Sequence, residues 1–257
     1  MVDCVFRDNW SDYVGGALCG TRGELIRCLF VGNRAQTVAA AVCGPTASVI
    51  DCRFERNQAT DDGGALEISG SIIGCLFAGN VAGGRGGAVT AGDARIERTS
   101  FVDNSAGQGG AVYCRNGATV ILTSCTLYSN AGSAAGGGIA SEAAALTLDH
   151  CLIGFSDVGG ALARISGGIA NLSCCDLYGN NGGDWTLEIA EQLGQRGNIC
   201  SDPLFCDPSS EELTLRADSP CASCSDSGGV IGAWGVGCGS TPVESTSWGR
   251  LKALFAQ

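Results

Sequence analysis

Three groups of residues in this 257-residue chain have side chains suited to chemistry. Asp61 and Asp62 form a carboxylate pair. Two carboxylates at a suitable separation hydrolyse glycosidic bonds, and oxygen ligands of this kind also hold Ca²⁺. Yet Asp62 directly precedes Gly63-Gly64, as Arg85 precedes Gly86-Gly87, so equivalent placement puts the arginine beside the aspartate. A surface ion pair worth ~0–1 kcal/mol accounts for that arrangement. His150 is the sole histidine and stands just before a core Cys, where it reads as a surface or packing residue, and no His-based triad or multi-histidine metal centre can be assembled from it. Cysteines make the third group: Cys200, Cys206, Cys221, Cys224 and Cys238 crowd an irregular C-terminal stretch. "CASC" at 221–224 with two further thiolates could hold zinc. Disulfides suit these five better, because a loop-rich segment has little core of its own. No catalytic residue, metal ligand or cofactor is expected from these groups.

The elements that would position such residues recur. Phe6, Phe30, Phe54, Phe77, Phe101, Leu127, Ile153 and Leu177 follow one another at spacings of 24, 24, 23, 24, 26, 26 and 24. Two residues before each stands Cys4, Cys28, Cys52, Cys75, Thr99, Cys125, Cys151 or Cys175. Three residues after stands Asn9, Asn33, Asn57, Asn80, Asn104, Asn130, Ser156 or Asn180. A small-residue block recurs as well, as in Gly63-Gly64-Ala65, Gly86-Gly87-Ala88 and Gly109-Gly110-Ala111, each followed by an aliphatic residue. The C-x-F alternation has period two, no window sustains helical periodicity, and regularly spaced leucines are missing. Each unit therefore reads as one turn of a parallel β-helix, stacked about 4.8 Å above the last. The fold expected is all-β: about eight or more coils over 1–197, closing coils with an irregular Cys-rich cap over 198–239, and a linker with an amphipathic tail over 240–257.

The fixed residues have physical reasons in such a tube. Asn tolerates the left-handed backbone of a bend, and its amide donates to and accepts from the Asn one coil away, so Asn9, Asn33, Asn57, Asn80, Asn104, Asn130 and Asn180 are expected to form a ladder. Gly-Gly admits positive φ and close backbone approach. The cysteine column is expected to hold mostly buried free thiols, because parallel side-chain directions strain a disulfide between stacked equivalents. Cys19 and Cys43, at matched places, could bridge or simply pack. If Phe and Cys point inward, then Leu29, Val31, Leu76, Val102, Tyr128, Leu152 and Tyr178 point outward, an apolar set that either forms a contact face or is covered by the C-terminal tail. In that tail Trp248, Leu251, Leu254 and Phe255 fall near helical spacing, as for a short helix packed on the rod, a sorting tail or a plug for an open end.

A net charge of −11, with 14 Arg and the single Lys252, argues against nucleic acid and anionic membrane as partners. No secretion signal is visible after Met1, and no stretch is long and apolar enough to span a membrane. "FRDN", "FVGN", "FERN", "FAGN" and "FVDN", paired with blocks such as "GGAL" and "GGAV", resemble the F-x-x-N and G-G-A-[ILV] repeats of the chlamydial polymorphic outer-membrane proteins. "DPLF" followed by "DSPC" is similar to the closing turns of secreted bacterial right-handed β-helix proteins. The resemblance implies right-handed winding, a bacterial extracellular or cell-surface location, and adhesion as the family activity. The function expected is a non-catalytic repeat protein acting by binding a protein or glycan ligand or by self-assembly, as a homo-oligomer or end to end. A carbohydrate-active β-helix enzyme and a passive spacer are the alternatives.

Overall fold

Short apolar strands broken by tight bends stack here in register. One sheet holds a three-residue strand from each coil: Val5–Arg7, Leu29–Val31, Arg53–Glu55, Leu76–Ala78, Ser100–Val102, Thr126–Tyr128, Leu152–Gly154 and Asp176–Tyr178, every pair parallel. A parallel bridge from Asp176 to Ile199 starts a ninth coil. A second sheet begins with Trp10–Ser11, and a third, twelve-stranded sheet closes the tube. The computed structural model describes residues 1–20, 23–44, 48–210 and 212–239 of this all-β parallel solenoid. The tail 240–257, with the helix expected in it, lies outside the described residues.

The core is a set of columns. Phe6, Phe30, Phe54, Phe77 and Phe101 stack ring on ring at centroid distances of 4.8, 4.8, 4.6 and 5.0 Å, with planes within 10° of parallel. The spacing is that of neighbouring strands, so the backbone register sets the ring contact. In the same core Leu25, Val49, Ile72, Ile96, Leu122, Leu148 and Leu172 form a second column, all buried. In the glycine block the two glycines answer different demands. The first takes positive φ, 65° at Gly63 and 63° at Gly86. The second has no room for a side chain, since a Cβ on Gly64 would lie 1.9 Å from the Gly87 carbonyl oxygen of the next coil.

The asparagines form a continuous ladder from Asn9 to Asn130. The Asn57 Oδ1 accepts from the Asn33 backbone N–H at 3.0 Å and from Asn33 Nδ2 at 2.9 Å. Its Nδ2 donates to Asn80 Oδ1 at 2.9 Å and back to the Phe30 carbonyl at 3.1 Å. One amide thus ties three coils and leaves none of its polar atoms idle in the interior. Ser156 interrupts the series, and its Oγ finds no partner among the described residues; its backbone N–H still donates to Asn180 Oδ1. The left-handed bend expected at Asn falls one residue earlier. Positive φ occurs at Asp8, Arg56, Asp103 and Ser129, and at Gly32 and Gly79, while among the described residues no Asn takes it. The bend aims the following Asn inward, so the asparagine is selected for its amide and not for its backbone.

The cysteine column behaves as a weaker copy of this ladder. The Cys28 N–H donates to Cys52 Sγ and the Cys52 N–H to Cys75 Sγ, each at 3.3 Å, while the Cys52 thiol donates to the Ile50 carbonyl. Thr99 replaces Cys without loss, because its hydroxyl accepts from the Cys75 N–H and donates to the Glu97 carbonyl. These cysteines are free, and burial pushes the Cys75 and Cys125 thiols well up.

Replacing one interior ladder residue should cost far more than replacing its exposed equivalent. Asn57→Ala strands two buried donors of Asn33 and should lower the unfolding free energy by about 2–4 kcal/mol, whereas Asn9→Ala at the exposed first coil should cost under about 1 kcal/mol. Urea denaturation of the two variants measures the difference.

Candidate functional site

The two ends of the tube differ. At the C-terminal end, side chains imitate the coil that would come next. Asp184 terminates the asparagine column, accepting from the Asn180 N–H at 2.9 Å and from Asn180 Nδ2 at 2.7 Å. Asn198 terminates the cysteine column, accepting from the Cys175 N–H at 2.9 Å. Gln192 closes the edge of strand Ile169–Ser173, accepting from the Leu172 N–H and donating to the Ala170 carbonyl. Ile189 is buried in the core behind them. At the other end, strands Val5–Arg7, Trp10–Ser11 and Leu18–Cys19 each pair on one side only among the described residues. Trp10 and Tyr13 stand 60% and 75% exposed there.

From the sealed end the chain turns back over the first sheet. Residues 221–235 run down one outward register column, Asp176, Leu152, Thr126 and Ser100. The Gly232 N–H donates to the His150 carbonyl, the Ala233 N–H to Thr126 Oγ1, and Trp234 Nε1 to Ser100 Oγ at 2.7 Å. This strap changes the outward apolar set. Leu152 is buried with Ile231, Leu215, Cys174, Cys221 and Cys224, and Tyr128 packs against Phe155 and Phe205. Val31 and Val102 are also buried, while Leu29, Leu76, Tyr128 and Tyr178 are half-buried. The seven therefore form no continuous exposed strip, because the Cys-rich segment and its aromatic neighbours cover the upper half.

Two disulfides hold the cap, Cys206–Cys238 and Cys174–Cys224. Cys200 and Cys221 are free thiols, as are Cys19 and Cys43. The partner chosen by Cys224 is Cys174, the neighbour of the column residue Cys175, and sequence periodicity gave it no role. Cys221 instead donates to Asp176 Oδ2 at 3.0 Å, and the Ser201 N–H donates to Asp176 Oδ1 at 3.1 Å. Burial pushes the Asp176 carboxyl up to about 7, with the Cys221 and Ser201 hydrogen bonds opposing the shift.

On the third sheet a polar cluster gathers residues from four coils. The Arg85 guanidinium lies 5.1 Å from the Tyr113 ring centroid, the Tyr113 hydroxyl donates to Glu142, and Arg115 pairs with Glu67. Burial raises the Asp62 carboxyl against the pull of Arg85, the neighbour expected from the glycine register. Asp61 is exposed beside it. Burial, reinforced by Glu142, raises the Tyr113 phenol as well. Here every acid has a base or a phenol at hand, and the cluster joins coils more than it presents a free acid and base.

Fold and columns define a β-solenoid repeat protein. Residues 98–115 match the Chlamydia polymorphic membrane protein repeat, in the coil that carries "FVDN" and "GGAV", and the chain is a β-helix repeat protein resembling that group. The match points to a surface or outer-membrane repeat protein. No curated protein and no solved structure matches the chain. Among the described residues no helix is long and apolar enough to cross a membrane.

Stability of the cap should depend on pH through Asp176. Its folded value of about 7 lies above the ordinary 3.8, so the folded state binds the proton more tightly. The stabilisation is complete below about pH 4 and is lost as pH rises toward 7, on the order of 4 kcal/mol in total. Asp176→Asn should flatten this dependence and raise the cap's melting midpoint at pH 8, as followed by Trp234 fluorescence.

Proposed function

We propose that the protein acts at the bacterial cell surface by contact, through the open edge of its first coil, and that the contact partner is a second copy. The observation that carries this reading is the asymmetry of the ends. One is sealed by Asp184, Gln192 and Asn198, while the other offers three strand edges with Val2, Val5, Trp10 and Tyr13 exposed around them. Unpaired edges flanked by apolar side chains are templates for strand pairing. Pairing of this edge with its like gives a closed two-fold dimer and not a filament. Half-buried Leu29 lies one coil in, beside Val5 in register. A disulfide-stapled cap suits an oxidising compartment outside the cytosol.

Sedimentation over a micromolar to millimolar range should show a monomer–dimer equilibrium. Its strength should rise with salt, which screens the charge of −11 carried by each copy. Val5→Lys with Trp10→Lys should weaken association at least about tenfold, as two charges in an apolar contact cost more than about 1.4 kcal/mol. A folded protein that stays monomeric throughout would contradict the reading.

The Tyr113 cluster is the one observation favouring a carbohydrate-active protein, since it places phenol, guanidinium and carboxylate on one outer face. Turnover on a polysaccharide panel that Glu142→Gln abolishes would establish that reading in place of the first.

A further inference from the structure

The Cys174–Cys224 bond lies against the chain's only histidine. The two sulfurs and one ring nitrogen of His150 lie within 4.8 Å of one another. Three features order this group beyond mere proximity. The Asp149 carboxylate sits 3.1 Å from His150 Nδ1 and itself accepts from the Ser173 hydroxyl at 2.8 Å, which fixes the ring and leaves Nε2 for the other side. The Asp226 N–H donates to Cys224 Sγ at 3.4 Å. Gly197 makes room for both sulfurs, because a Cβ there would lie 2.4 Å from Cys224 Sγ and 3.1 Å from Cys174 Sγ. Between nitrogen and sulfur stands the Ser227 hydroxyl, 2.5 Å from Nε2 and 3.3 Å from Cys174 Sγ.

We propose that these sulfurs have two states: a disulfide in the oxidised protein and, after reduction, two ligands of a Zn²⁺ site completed by His150. Two thiolates and an imidazole are soft and borderline ligands of the kind zinc prefers, and a carboxylate on the far nitrogen of a ligating histidine is the usual orienting partner. The metal takes the place of the Ser227 hydroxyl. Water fills the fourth corner, reached from the depression that His150 lines with Arg98, Ser124 and Trp234. The chemistry balances. A dithiol reductant gives two electrons and two protons to the bond and leaves as its own disulfide, yielding two thiols; Zn²⁺ then displaces both thiol protons. In either state the strap stays fastened to the solenoid, by a covalent bond or by the metal.

The test uses the full chain with Cys206→Ser and Cys238→Ser, so that one disulfide remains, and Co²⁺ as the spectroscopic probe. After reduction by a phosphine under anaerobic conditions, one equivalent of Co²⁺ should produce thiolate-to-cobalt charge-transfer and tetrahedral d–d bands that Zn²⁺ abolishes. The oxidised protein should give neither. His150→Gln should weaken binding by at least about tenfold and Asp149→Asn by a smaller factor, with the β-sheet circular dichroism retained. Absence of the bands in the reduced folded protein would overturn the proposal. So would bands that survive undiminished in Cys174→Ser or His150→Gln, since the buried thiols of the column would then be the ligands.

Discussion

Everything in this molecule depends on coil-to-coil register. An Asn amide inside a narrow tube has two donors and an acceptor to satisfy, and the only partners within reach are the same amide one coil on and the carbonyls of the coil before. Register therefore has to hold at that point even though the repeat length varies. Lengths of 23 to 26 residues are absorbed elsewhere, at the shift between Ile68 and Gly70 in the third sheet and between Ala106 and Gln108 in the second. Phe101 and Leu127 stay paired across a 26-residue unit as closely as Phe30 and Phe54 across one of 24.

A solenoid built this way has a problem at each end, because the columns must stop. The C-terminal end meets it with side chains in place of strands: a carboxylate for the asparagine column, an amide for the cysteine column, a glutamine for the strand edge. The strap then returns along the outer column of the first sheet and is anchored to the coils of Asp176, Leu152, Thr126 and Ser100. Its anchors are chemically diverse, with one disulfide, one carboxyl that prefers to be protonated, and hydrogen bonds to hydroxyls. The cap is thus held in part by a group that titrates and by a bond that reduction would open. At the first coil no such arrangement exists among the described residues, and the surface there is the one that contact with another molecule would change most.

Much of the tube was legible in the sequence because a solenoid writes the same demand at fixed intervals. The Phe, Cys and Asn columns and the Gly-Gly-Ala block state which side chains face inward. The bend residue was not legible, because any of Asp, Arg, Ser or Gly occupies it and no single type repeats. Asp184, Gln192 and Asn198 were hidden for the opposite reason: each is used once, where the period fades. Cys174 was masked by Cys175 beside it. Within the Tyr113 cluster the Asp62–Arg85 neighbourhood is legible from the Gly-Gly register, whereas Glu67–Arg115, two coils apart, and Tyr113–Glu142 occupy no repeated motif position and leave no pattern. The outward apolar residues lie in strands, as their alternation implies, but their coverage depends on where an irregular segment lies, which no repeat records.

Backbone amide hydrogen exchange at the ladder tests the central claim most directly. The N–H groups of Asn33, Asn57, Asn80 and Asn104 each donate to the side chain of the following coil. The account predicts that all four exchange only through global unfolding, as slowly as the amides of the phenylalanine strands. Exchange of these four on the timescale of exposed loops, with the phenylalanine strands still protected, would contradict it.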